Sequence, residues 1–125
     1  MNQRQTLIAG AIAGFLAVMI GAFGAHALKP ALIQSGKLDV YELAVEYQFY
    51  HALALLLTGS LMNAEAGVWL KRSALGFLIG TLLFSGSLYM LAFIKLGHLG
   101  KITPVGGVFL LFGWGALAMA FIKKK

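Results

Sequence analysis

The chain has 125 residues, of which 60% are apolar and 11% charged, and its net charge is +6. Soluble domains carry about 25% charged residues to cover a large surface, so water is excluded as the solvent for most of this one. The basic residues sit in short clusters between long apolar runs, a pattern of membrane flanks and not of a nucleic-acid stripe. Cysteine is absent, which removes disulfides, thiolate metal sites and cysteine nucleophiles.

About 20 mostly apolar residues are needed to cross a bilayer as a helix. Residues 7–25 form the first such segment and contain no ionisable side chain. A signal peptide would also place Arg4 before an apolar run and Ala25-His26-Ala27 at its end. The run is longer than a usual signal core and its glycines are regularly spaced, which favours a retained span. Residues 44–62 form the second segment, with Glu46 and His51 near its start. Residues 73–94 and 102–122 are the third and fourth, both free of ionisable groups.

Turn chemistry sets the expected boundaries. Pro30 opens a short helix that ends near Ser35-Gly36, so the first connection is partly helical. Asp39 and Glu42 have the spacing of a capping box for the second helix. Thr103-Pro104 reads as an N-cap followed by a first-turn proline. The other connections are short, which makes successive helices antiparallel neighbours. The expected molecule is therefore all-α: one integral membrane domain over residues 1–125, folded as a four-helix transmembrane bundle. Arg4, Lys71, Arg72, Lys123, Lys124 and Lys125 fall on one side of it, against Lys29, Lys37, Lys95 and Lys101 on the other. That excess predicts both termini in the cytoplasm.

Lipid gives helices no hydrophobic drive to associate, so close packing uses small residues. Gly10, Gly14, Ala17, Gly21 and Gly24 make one seam at steps of four and three, expected to admit a neighbouring backbone along its full length. Gly76 and Gly80, with Ser73 and Ser87, mark the inward side of the third segment; Gly106, Gly113, Ala116 and Ala120 mark that of the fourth. The hydroxyls of Thr58, Thr81 and Ser85 read as structural.

His26, Glu42, Glu46, Tyr47, Gln48, Tyr50, His51, His98 and Thr103 all fall at the extracytoplasmic face in this topology. Ionisable groups at membrane depth are costly and face protein or water, so an inward-facing cluster of Glu46, His51 and His26 is expected. It reads as a hydrogen-bonded plug, as a proton-responsive or ligand-binding site, or as a metal or haem site through His26 and His51. No ligand-spaced histidine motif and no serine elbow is present.

Four stretches here, GAFGAHAL (21–28), EYQFYHALALLL (46–57), LLFSGSLYML (82–91) and ITPVGG (102–107), resemble the YgdD/YwdK-like family of small bacterial inner-membrane proteins. That family shares a domain of unknown function with eukaryotic transmembrane protein 256. The resemblance covers almost the whole chain and implies a multi-spanning protein of the bacterial cytoplasmic membrane. It supplies no activity, substrate or cofactor, so no catalytic residue is carried over. His26, Tyr47, Gln48, Tyr50, His51, Ser85, Thr103 and Pro104 lie inside the matching stretches.

The expected function is non-enzymatic, through membrane lipids, a second copy of the chain or another membrane protein, with no metal or cofactor. The alternatives are proton-linked or small-solute transport through the His/Glu/Tyr cluster, and cofactor binding in the membrane. Hydrogen bonds on both ring nitrogens of His51, with no cavity beside it, would take the centre out of the transport reading.

Overall fold

The computed structural model describes residues 1–63, 67–95 and 97–123, and within them every regular element is helical. Helix α1 runs Gln3–Ala25 and begins four residues ahead of the apolar run. Its start is set by Asn2, whose side chain accepts from the Gln5 amide at 2.8 Å while the Gln5 side chain accepts from the Asn2 amide at 3.1 Å. A short α2, Lys29–Ser35, opens with proline in its first turn and closes on Gly36 at φ 71, the left-handed conformation that favours glycine.

Helix α3 runs Leu38–Leu61 and starts six residues earlier than the apolar segment. Lys37 is its N-cap and no side chain caps it, so the Asp39–Glu42 capping box does not form. Asp39 instead sits in the first turn, where a carboxylate complements the helix dipole. Helix α4 runs Val68–Phe93. A 3₁₀ turn, Gly97–Lys101, leads straight into α5, Ile102–Ile122. That turn moves the cap to Lys101, so Thr103 is inside the helix and not its cap. Pro104 remains in the first turn, where its missing amide hydrogen costs no bond.

Helices α1, α4, and α5 with its 3₁₀ lead-in are long and apolar enough to cross a membrane. Helix α3 has comparable length, but Glu46, Gln48 and His51 make its first half polar. Apolarity by itself therefore marks three spans where four were expected, and the one it leaves out is the segment that carries Glu46 and His51.

The long helices pack in chain order and antiparallel: α1 on α3, α3 on α4, α4 on α5. No comparable packing joins α1 to α5 among the described residues, so they form a row and not a closed ring. The outer helices present Phe15, Val18, Leu111 and Ile122 outward, apolar surface suited to lipid. Between α1 and α3 the small residues work unevenly. A Cβ on Gly10 would stand 3.0 Å from the Ala52 carbonyl oxygen, and Gly24 makes room for the Tyr41 ring. At Gly14 the nearest atom would be the Ala52 Cβ at 3.9 Å, so the seam is not closed along its full length. Ala17 is buried, and Gly21 faces Val45.

The α4–α5 contact is the tightest. A Cβ on Gly76 would lie 3.0 Å from the Gly113 Cα, and one on Gly80 would lie 2.7 Å from the Leu110 side chain. Gly113 in turn receives the Phe77 ring. The Gln3 side chain donates to the carbonyls of Gly59 and Met62, tying the amino terminus to the end of α3. Trp69 at the start of α4 lies beside Lys123 at the end of α5. Both ends of the chain thus share one end of the fold; Lys124 and Lys125 lie outside the described residues.

Candidate functional site

The polar residues singled out in the sequence do not form one cluster. His26 caps the end of α1 and is exposed, as are Glu42, Glu46 and Tyr50. No ion pair joins these groups among the described residues. Gly24 meets Tyr41, and His51 lies ten residues further along α3, which is about 15 Å at the helical rise. The expected inward-facing group of His26, Glu46 and His51 therefore does not form: His26, Glu42 and Glu46 are exposed towards the end opposite the chain termini, and only His51 is buried. Exposed His98, in the 3₁₀ turn, belongs to that same end.

His51 goes inward alone. It is 4% exposed and stands among Tyr47, Phe77 and Trp114. Its Nδ1 is 2.7 Å from the Tyr47 carbonyl oxygen and its Nε2 is 3.1 Å from the Trp114 Nε1. An indole N–H only donates, so Nε2 must be the bare, accepting nitrogen. Nδ1 then carries the proton and donates to the carbonyl. Neutral imidazole has one donor and one acceptor, and here each has its match.

Gln48 joins three helices. Its Nε2 donates to the Ala13 carbonyl of α1 at 2.9 Å, and its Oε1 accepts from the Tyr89 hydroxyl of α4 at 2.6 Å. Other hydroxyls do the same between pairs. Tyr41 donates to the Ile20 carbonyl, Ser85 to that of Ala44 at 2.8 Å, and Ser73 to that of Gly113 at 2.8 Å. Thr103, displaced from its capping role, shares a hydrogen bond with Ser87 across α4 and α5. Thr58 bonds back to the Ala54 carbonyl of its own helix. Thr81 Oγ1 is the buried side-chain atom without a partner among the described residues.

Two partners were missed from the sequence, Trp114 and Tyr89. They stand 63 and 41 residues from the side chains they bond. Their only local signal is that a buried indole N–H or phenol needs a partner. A groove of about 610 Å³, lined by Tyr47, Tyr50, His51, Phe84, Pro104 and Trp114 among others, opens beside the histidine. It presents ring faces, since both imidazole nitrogens are already bonded. Haem or metal ligation through Nε2 would first have to displace the Trp114 bond, and His26 is too far along the fold to assist. Among the described residues no three metal-ligating side chains converge.

The family described as "Protein of unknown function (DUF423)" matches residues 20–107. The chain belongs to this family. It is 39% identical to UPF0382 inner membrane protein YgdD of Escherichia coli (strain K12), over 100% of this chain and 95% of that protein. It is 41% identical to UPF0382 membrane protein YwdK of Bacillus subtilis (strain 168), over 94% of this chain and 95% of that protein. UPF0382 membrane protein SAB0533 of Staphylococcus aureus is 42% identical over 94% of each chain. No solved structure matches the chain. Family membership and three spanning-length apolar helices make this an integral protein of the cytoplasmic (inner) membrane. The family carries no assigned activity.

Proposed function

We propose that all four long helices cross the membrane as one bundle, with both termini in the cytoplasm. In this reading the protein performs no chemistry of its own and acts through membrane lipids and protein partners. The observation that carries it is the state of the buried polar side chains. His51, Gln48, Tyr41, Ser73 and Ser85 are bonded to neighbouring protein groups. In hydrocarbon such bonds hold helices together, at about 0.6–2 kcal/mol each. The same bonds explain how α3 crosses: Gln48 and His51 face α1, α4 and α5, and the exposed Glu42 and Glu46 lie nearer its start.

Transport or proton movement through the polar residues is less well supported. His26 and Glu46 are apart from His51, and moving a proton through His51 would break a bond to Tyr47 or Trp114. Cofactor binding meets the same obstacle at Nε2.

The topology has a direct test, because the chain has no cysteine of its own. Single cysteines replace Lys37 and Asn63, at the two ends of α3, and intact cells receive a membrane-impermeant maleimide. Labelling at position 37 and protection at position 63 until the cells are opened is the expected result. Equal labelling of both would mean that α3 does not cross.

A further inference from the structure

The end of the fold that carries both termini holds a cluster that helix packing does not use. The Arg72 guanidinium lies 4.9 Å from the centroid of the Trp69 indole, and the Lys123 ammonium lies 5.1 Å from the same centroid. One cation comes from α4 and the other from α5; both side chains are exposed and the ring is half-buried. The ring attracts each cation, but it brings two like charges together. Lys71, also exposed, adds a third. Among the described residues no ion pair offsets them. Helix α4 has neither an acidic residue in its first turn nor a capping side chain. Lys71 and Arg72 lie near the positive end of the α4 dipole, an unfavourable place for a cation, whereas Lys123 sits at the negative end of α5.

We propose that Trp69, Arg72 and Lys123 form a headgroup site for an anionic phospholipid, its phosphodiester between the two cations and its glycerol region against the indole. Two exposed cations beside one indole, with exposed Lys71 adjoining Arg72, attract an anion. Trp is the side chain most at home where headgroup meets hydrocarbon, which selects a lipid phosphate over a dissolved one. The site rests on the reading that α4 and α5 cross the bilayer.

The test uses the full chain in vesicles of phosphatidylcholine mixed with phosphatidylglycerol. It is then extracted in mild detergent, and the lipids it retains are identified by native mass spectrometry. The wild type is expected to retain phosphatidylglycerol in preference. Each surface cation contributes enough to an anionic-lipid contact that its loss lowers this preference about five-fold. Arg72→Gln with Lys123→Gln is therefore expected to abolish most of it. Lys29→Gln with Lys101→Gln removes equal charge from the opposite end and is expected to leave it intact. Trp69→Ala is expected to weaken retention and Trp69→Phe to preserve part of it. Circular dichroism is expected to show unchanged helix in all of them. Absence of preference in the wild type, equal loss in both double variants, or displacement of the lipid by excess inorganic phosphate would each overturn the site. A chain that fails to stay with the vesicles would instead overturn the spanning reading.

Discussion

At the scale of single residues, the His51 imidazole lies buried between α3 and α5 and is bonded at both ring nitrogens. Its neutral form matches a carbonyl on one side and an indole N–H on the other. His51→Ala leaves the Trp114 N–H without its partner. The expected cost is about 1–3 kcal/mol, read as a lower midpoint of thermal unfolding in detergent; an unchanged midpoint would contradict the assignment. Trp114→Phe is expected to cost a similar amount, through the bare Nε2 it leaves behind. The double variant should cost less than the two together by roughly 0.5–3 kcal/mol, because the second change removes a bond already lost. The sequence marked His51 as exceptional, an imidazole in an apolar helix. It could not mark Trp114, because nothing near residue 114 encodes which helix faces it.

Among whole elements, the decisive contacts are between glycines and what lies over them. Gly76→Ala would press a methyl group onto the Gly113 backbone at 3.0 Å, so it is expected to destabilise by about 1–3 kcal/mol. Nothing lies within 4 Å of a Cβ on Gly115, two residues away from Gly113 in sequence. Gly115→Ala is therefore expected to be neutral or stabilising by up to about 1 kcal/mol, through helix propensity. Gly14→Ala belongs with Gly115→Ala, since its methyl would find ordinary contact only. Comparing the three unfolding midpoints checks the set, and equal effects would mean that α4 and α5 do not pack this closely. The regular spacing of Gly10, Gly14, Ala17, Gly21 and Gly24 was legible in the sequence as one face. Which of its members touch was not. Contact depends on how α3 tilts against α1, and Tyr41, not a small residue, fills the space over Gly24. Helix starts were legible only where local bonds set them. The Asn2–Gln5 box was overlooked, while the Asp39–Glu42 and Thr103 caps were displaced by neighbouring turns.

For the molecule as a whole, the row of helices leaves both chain ends on one side, and that side holds Arg4, Lys71, Arg72 and Lys123. Cations near membrane flanks are retained in the cytoplasm. A carboxyl-terminal fusion to green fluorescent protein is accordingly expected to fluoresce in cells, and a fusion to alkaline phosphatase to stay inactive; the reverse pair would place the termini outside. Composition alone determined the solvent of this protein, because too few charged residues exist to face water. It also determined the all-helical class, because a lone chain segment in lipid must satisfy its own backbone. Only the tertiary structure decided which polar side chains remain at the surface and which bond across helices. That choice depends on the rotation and register of one helix against another. Rotation and register follow from steric fit between residues dozens of positions apart, such as Gln48 with Tyr89 and His51 with Trp114.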